Sequence, residues 1–155
     1  MTKDTPSEVW LAADAKSIIT EHQKARRNRQ RDINSFADIM HTHHEQALTC
    51  GILLLNIADQ FDSPTRDPDD ITDHPHIERI IEEIVDLFDS IDRAEGEMSA
   101  NLDGAGVIVV DHTNLVDDIG ETELVTDPPA PQKGDRVHYR TFVSQMADWF
   151  EDRLL

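Results

Sequence analysis

Apolar residues recur at helical spacing along much of the chain, and this pattern predicts most of its secondary structure. Residues 7–31 lack proline and glycine and are rich in helix formers, which predicts a first helix. Alternating spacings of three and four across residues 33–61 form a heptad-like seam and predict a long second helix. Amphipathic stripes predict a third helix over 76–93 and a last one over 139–155. The seam consists of Ile33, Phe36, Met40, His43, Ala47, Cys50, Leu54, Ile57 and Phe61.

Two shorter segments change from the helical period to a strand-like pattern. The β-branched run Gly104–Asp111, which begins with two glycines, predicts a buried strand. Residues 121–126 predict a weaker second strand, joined to the first by a long hairpin loop. The polar, proline-containing residues 62–75 predict a loop, and the prolines of 128–138 predict a stiff linker.

These elements predict a mainly α protein of the α+β class. We expect a helical bundle or long helical hairpin of about four helices, with a small β-hairpin inserted before the C-terminal helix. The expected organisation is a helical body over residues 1–100 containing the long helix 33–61, the hairpin over 101–127, the linker over 128–138 and an amphipathic helix over 139–155.

The charge balance restricts the environment and the partners. Lys and Arg number 14 against 32 Asp and Glu, which gives a net charge of −18 and excludes a generally basic nucleic-acid binder. Of the acids 21 are Asp, and only 4 of the bases are Lys, a composition that resembles the proteins of extreme halophiles. Molar salt shortens the Debye length to about 3 Å, so partners would be recognised by packing and short contacts.

Several absences bear on the compartment. No apolar run approaches the roughly 18 residues of a membrane span, and the first ten residues lack the apolar region of a signal peptide. A lone cysteine fits a reducing compartment. We therefore expect a protein of the cytoplasm of a high-salt cell, or of a virion, with no membrane partner.

An eight-residue stretch near the end of the first predicted helix is basic, in contrast to the rest of this acidic chain. Arginine side chains bind phosphate or carboxylate groups in a bidentate manner, which predicts a contact for an acidic partner or a nucleic acid. The alternative is a solvated helix end whose charges favour the helix C-terminus or pair with the acidic third helix. The cluster comprises Lys24, Arg26, Arg27, Arg29 and Arg31.

Candidate metal-binding side chains occur in the second predicted helix. Asp38, His41 and Glu45 lie one turn apart on one face, and Asp38-x-x-His41 resembles half of the paired motif of helical-bundle carboxylate metal proteins. Glu83-x-x-Asp86 resembles half of the acidic motif of helical nucleotide pyrophosphohydrolases. The second half of each motif is missing, so we predict unliganded histidines and no bound metal or cofactor.

Three further features concern the apolar seam and the last helix. His43 falls inside the seam, where a buried polar residue would fix register or oligomeric state, unless the buried part of the seam ends there. Cys50 lies among leucines with no base nearby, which predicts a small buried apolar residue. The last helix should dock on a partner through an aromatic stripe formed by Tyr139, Phe142, Met146, Trp149 and Phe150.

No complete catalytic set is present, which favours a non-catalytic structural or assembly subunit that forms a homo-oligomer or larger assembly. The layout, with its apolar segment QALTCGILLLNIADQF, resembles the small helical adaptor proteins that connect capsid and tail in tailed viruses. That resemblance implies a head–tail connector role. Two alternatives stay open: a helical-bundle metal- or nucleotide-dependent enzyme, and a nucleic-acid-associated regulator that binds through residues 24–31.

Overall fold

A four-stranded sheet forms the centre of the molecule in the computed structural model, which describes residues 8–67, 70–118 and 121–154. The strands are β1 (Leu11–Ile18), β2 (Leu48–Asn56), β3 (Gln60–Asp62), β4 (Ile71–Asp73), β5 (Gly104–Asp111) and β6 (Glu123–Val125). The helices are α1 (His22–His43), α2 (Ile77–Asp89) and α3 (Tyr139–Leu154), with a short 3-10 turn at Val116–Asp118. Strands β3 and β4 form a separate two-stranded ribbon.

The main sheet has the strand order β1-β2-β5-β6, in which β1, β2 and β5 are parallel and β6 is antiparallel. Helices α1 and α2 are the crossovers of two successive β-α-β units that advance in the same direction. Because such crossovers are right-handed, both helices lie on the same face of the sheet. The larger core cluster fills the space beneath them, and α3 packs on β5 and β2 from the other face. The molecule therefore has three layers.

The predicted helical bundle is wrong, and the largest error concerns the long second helix. Residues 33–43 do belong to a helix, α1, but the chain turns at His44 and continues as β2. Every side chain of β2 is at least half buried, as is usual for a central parallel strand covered on both faces. A run that is apolar at every position also contains apolar residues at heptad spacing, so its period cannot separate helix from strand.

The first predicted helix is wrong over its first half. Residues 11–18 form the edge strand β1, and the helix begins only at His22. Alanine and lysine in this segment favour a helix, but pairing with β2 along the full length of the strand overrides that weak propensity. Residue 7, where the first predicted helix starts, lies outside the described residues.

Four other predicted elements agree with the structure, whereas the loop predicted over 62–75 contains the strand β4, which pairs with β3. The third helix appears as α2, the buried strand as β5, the weaker strand as β6 and the last helix as α3, although residue 155 lies outside the described part. Strand β5 pairs with β2 as well as with β6, so it is a central strand of the sheet rather than one arm of an inserted hairpin. The proline-containing segment packs on β5, where the Val107 amide donates to the Val137 carbonyl at 2.8 Å.

Candidate functional site

A pair of glycines sets how closely α3 approaches the sheet. A Cβ atom on Gly106 would lie 2.8 Å from Cδ1 of Phe142, and one on Gly104 would lie 2.9 Å from Sδ of Met146. Phe142 and Met146 are buried there with Leu48 and Cys50 in the smaller core cluster. The glycines therefore seat α3 over the amino-terminal half of β2 and β5.

On the same face, the edge strand β1 and the middle of β2 and β5 have less cover than the part beneath α3, whereas Asn56 and Val110 at the carboxyl ends are buried. Leu124 is 65% exposed, Leu11 is 50% exposed, and Ile52, Leu54 and Ile108 are half-buried. Side chains of α3 border this area, with Tyr139 52% exposed and Val143 48% exposed. We call this surface the open face; it comprises Leu11, Ala13, Ala15, Ile52, Leu54, Ile108, Leu124, Tyr139 and Val143.

The open face differs from the rest of the protein in charge. Side chains alternate between the two faces of a strand, and the pairing register carries this alternation across the sheet. Cys50 of β2 contacts α3, so its side chain marks the face of the sheet that α3 covers. The pairing register then identifies the residues of the other strands that lie on this same face. None of them is charged; on β1, Asp14 and Lys16 lie on the opposite face and pair at 2.9 Å. The residues on the α3 side are Leu11, Ala13, Ala15, Ser17, Leu48, Cys50, Ile52, Leu54, Asn56, Gly104, Gly106, Ile108, Val110 and Leu124.

A cavity of about 270 Å³ lies within this surface, with Ile108, Leu124 and Tyr139 in its wall. It forms where the short β6 ends and the segment before α3 passes alongside β5. The cavity is large enough to receive an apolar side chain from another molecule.

The aromatic stripe of the last helix docks mainly on this chain's own sheet. Phe142 and Met146 are buried, and Trp149 and Phe150 are partly buried against the same cluster. Tyr139, at the start of α3, is the one predicted interaction residue of this helix that stays more than half exposed. The sequence could indicate that the stripe must be covered, but not that a sheet of the same chain covers it.

The basic cluster lies on α1, and acids of the chain partly neutralise it. Arg26 donates to Glu83 of α2 at 2.8 Å, and this hydrogen bond lowers the pKa of Glu83. Arg29 pairs with Asp32 at 3.2 Å, and Lys24 approaches Glu21 at 3.7 Å. Arg27 and Arg31 are exposed one turn apart. The ion pair between Arg26 and Glu83 therefore links α1, which carries the basic cluster, to α2.

Three of the candidate metal residues line one cavity of about 380 Å³, namely Asp38, His41 and Glu45. His41 Nε2 donates to the Ala47 carbonyl at 3.0 Å, which holds the ring against the turn after α1. Within the described ranges, no group of three or more His, Cys, Asp or Glu side chains is placed to hold a metal ion. Glu83 lies beside Arg26, about 18 Å along α1 from Asp38, so Glu83 and Asp86 do not form one site with Asp38, His41 and Glu45.

The two residues singled out in the seam have different environments. His43 is exposed in the last turn of α1, so it is not a buried polar residue of the seam, although the seam residues Ala47 and Cys50 that follow it are buried. Cys50 is buried in β2, and burial, followed by the nearby Asp103 carboxylate, raises the pKa of its thiol to about 11. Cys50 is therefore a buried apolar residue, as predicted.

Sequence reasoning missed a histidine pair at the carboxyl ends of β1 and β2. His22 and His74 are buried, and their ring centroids lie 4.9 Å apart with the rings nearly perpendicular. His22 Nε2 donates to the Asn56 carbonyl and His74 Nδ1 to the Ala58 carbonyl, each at 2.7 Å. The only local signal was that each histidine precedes or opens a helix after a strand, and that signal depends on the correct strand assignment.

A cavity of about 420 Å³ adjoins this pair, and both histidines contribute to its wall; we call it the histidine cavity. It also contacts the first turns of α1 and α2. Clefts at the carboxyl ends of parallel strands are the usual ligand sites of open α/β sheets. Burial is the main cause that lowers the pKa of His22, with a smaller contribution from His74, against the opposing effect of the bond to Asn56.

The fold and these two surfaces define a three-layer α/β protein with a partly uncovered mixed sheet. Comparison of the chain with protein-family models, with curated proteins and with solved structures finds no match. No helix in the described part of the chain is long and apolar enough to cross a membrane.

Proposed function

We propose that this protein is a non-catalytic assembly subunit that associates with a second copy of itself through the open face. The observation that carries the proposal is the absence of charge from the sheet surface on the α3 side, in a chain with 30% charged residues. The predicted connector role is not part of this proposal, because the segment that resembled a connector helix forms β2.

Charge favours a second copy over a basic partner. A basic protein would bind best where acidic side chains are dense, whereas the open face offers it no carboxylate. A second copy carries the same net charge of −18, so two copies repel each other least where both surfaces are neutral. Molar salt screens the remaining repulsion and strengthens apolar burial.

The shape of the surface also suits self-association. Tyr139, at the start of α3, lines the same cavity as Ile108 and Leu124 of the sheet, and Val143 is exposed one turn further along the helix. A two-fold axis near Tyr139 would place α3 of each copy beside the less covered part of the other copy's sheet, which is the reciprocal geometry of an isologous dimer. A stable dimer needs about 800 Å² from each partner, so both the sheet and the helix flank would contribute.

The test is the molar mass in molar KCl, measured by light scattering and sedimentation. We expect twice the chain mass of 17.6 kDa for the parent protein. Leu124→Glu and Ala13→Glu place a carboxylate on the open face and should return the protein to a monomer. Ile39→Glu is the matched control, because Ile39 is 60% exposed on α1, and it should leave the dimer intact.

A parent protein that stays monomeric over a wide concentration range in molar KCl would overturn the proposal. An oligomer that Leu124→Glu and Ala13→Glu leave unchanged would also overturn it. Circular dichroism of each variant verifies that the fold is retained, which is expected because the substituted side chains are exposed.

A further inference from the structure

The backbone along the outer edge of β1 offers another chain a contact that does not use the side chains of the open face. Strand β1 is the first strand in the order of the sheet, and within the described ranges no strand pairs with its outer edge. The Leu48 amide of β2 donates to the Trp10 carbonyl at 2.9 Å, so the backbone groups of even-numbered residues in β1 face β2. Backbone groups alternate between the two edges of a strand, so those of the odd-numbered residues face outward. The residues with outward-facing backbone groups are Leu11, Ala13, Ala15 and Ser17.

The sequence of β1 permits pairing along this edge. Edge strands are usually kept from pairing by proline, by a bulge or by charged side chains. Strand β1 contains no proline, and it pairs with β2 in unbroken register over all 8 residues. Its two charged residues, Asp14 and Lys16, have opposite signs and lie on the side of α1 and α2. These charges oppose most pairings, but a strand of complementary charge would be accepted.

A second copy of β1 is complementary in one register. Two identical strands pair antiparallel about a two-fold axis normal to the sheet, and each residue at the axis lies opposite itself. With Ala15 at the axis, Asp14 of each copy lies opposite Lys16 of the other. Moving the axis by one residue in either direction places Asp14 opposite Asp14, or Lys16 opposite Lys16. Because like charges directly opposite each other are destabilising, the charges select the register centred on Ala15.

The backbone groups match in the same register. Ala15 lies opposite Ala15 and Ala13 opposite Ser17, and all of these residues have outward-facing backbone groups. They therefore form hydrogen-bonded pairs, each of which exchanges two N–H to carbonyl bonds. Asp14 and Lys16 form the intervening pairs, whose Cβ atoms lie about 4.5–5.5 Å apart. The two residues already pair within one chain at 2.9 Å, so the four side chains would form a ring of alternating charge.

We propose that the outer edge of β1 pairs with the same edge of a second copy, antiparallel and centred on Ala15, so that two sheets become one continuous sheet. One strand from each copy buries less surface than a standard interface of about 1,600 Å². The contact should therefore form at about millimolar protein, whereas the open-face dimer is expected in dilute solution. Edge pairing does not require the open face, and the two contacts together would build a larger assembly.

Disulfide formation in a background that lacks open-face association tests the register. In Leu124→Glu with Ala15→Cys, the Cα atoms of the two introduced cysteines should lie about 5.5 Å apart, which a disulfide can span. Ala13→Cys is the matched control, because it is exposed on the same side of β1 but its two copies should lie about 14 Å apart. In molar KCl at about 1 mM protein, Ala15→Cys should cross-link at least about tenfold faster than Ala13→Cys. Equal rates, or no cross-linking of Ala15→Cys, would overturn the proposal.

A charge exchange tests the complementarity independently of the open face, because Asp14 and Lys16 lie on the other side of the sheet. On the Leu124→Glu background, Lys16→Asp places like charges opposite each other and should weaken association at least about fivefold by sedimentation at millimolar protein. Adding Asp14→Lys restores opposite signs and should recover the affinity. Lys133→Asp, in an exposed turn, is the control for net charge and should have little effect. A double variant no tighter than Lys16→Asp alone would contradict the proposal.

The variant Ala15→Pro removes the outward N–H at the axis. Proline is tolerated on an edge strand where the N–H faces away from the sheet, so circular dichroism should show a retained fold. The variant should not associate at millimolar protein, and association equal to that of its Leu124→Glu background would overturn the proposal. These results are distinguishable from failure of the open-face dimer, which is measured on the parent protein in dilute solution.

Discussion

The close packing of α3 against Gly104 and Gly106 can be tested by adding a single methyl group to one of these glycines. In Gly106→Ala the new Cβ would lie 2.8, 3.1 and 3.2 Å from three ring carbons of Phe142, whereas favourable carbon contacts begin near 3.5 Å. Phe142 is buried with Leu48, Cys50 and Met146, so its ring can move only if these neighbours also move. Helix α3 must therefore shift or the ring must leave its rotamer.

The expected loss of stability follows from two opposing effects. Overpacking of a filled core costs about 1–3 kcal/mol. Replacing glycine within a strand returns about 0.5–1 kcal/mol, because the unfolded chain has less conformational freedom to lose. The free energy of unfolding should fall by up to about 2.5 kcal/mol, and Tm by up to about 10 °C for a chain of this size.

The assay is guanidinium and thermal unfolding at constant salt, run as a double-mutant cycle with Phe142→Leu. The shorter side chain should remove most of the cost of Gly106→Ala, which gives a coupling energy of about 1 kcal/mol. Gly104→Ala is the matched comparison: its nearest atom is the flexible thioether of Met146, so it should cost less than Gly106→Ala. A neutral Gly106→Ala with no coupling to Phe142 would show that α3 does not lie on β5 as described.

Three further predictions concern buried ionisable side chains. Asp103 is fully buried and accepts from the Thr49 amide at 2.8 Å, so Asp103→Ala should lower the free energy of unfolding by about 3–5 kcal/mol in guanidinium titrations, and more than Asp103→Asn does. Burial lowers the pKa of His22 below the ordinary histidine value of 6.5, so the unfolded state binds more protons below that pH. Stability should decline as the pH falls below about 6.5, and His22→Gln should reduce this slope in pH-dependent melts. Because the pKa of Cys50 is about 11 and its thiol is buried, a thiol reagent at neutral pH should label it only at the rate of unfolding, and rapid labelling of the native protein would contradict this.

The elements predicted correctly are those whose pattern allows only one interpretation. Helix α2 has a clear apolar side with charged residues opposite, so only a helical period fits it. Strand β5 is too short for a buried helix and begins with glycines, which helices disfavour. In both cases local propensity and tertiary contacts favour the same structure.

The predictions were wrong where tertiary contacts alone determine which secondary structure forms. Strand β2 and a heptad helix would present the same leucines, and only the flanking strands β1 and β5 make the extended form the stable one. The histidine cavity was missed for the same reason: His22 and His74 are 52 positions apart and meet only because the strand ends bring them together. The sequence pattern cannot show that two distant residues lie close together until the order of the strands in the sheet is known.

Once the register is known, the edge strand β1 supports the proposed association. Its two charged residues, Asp14 and Lys16, lie on the side of α1 and α2, while the opposite side carries only Leu11, Ala13, Ala15 and Ser17, all exposed. Soluble proteins commonly protect an exposed edge strand with charges that discourage pairing with other chains. Asp14 and Lys16 give β1 this protection, so the neutral side of β1, next to the less covered part of the sheet, is the surface that the proposed second copy would cover. Ala13→Glu is therefore the most direct test, because it places one carboxylate on the neutral side of β1 and leaves Asp14 and Lys16 on the other side unchanged.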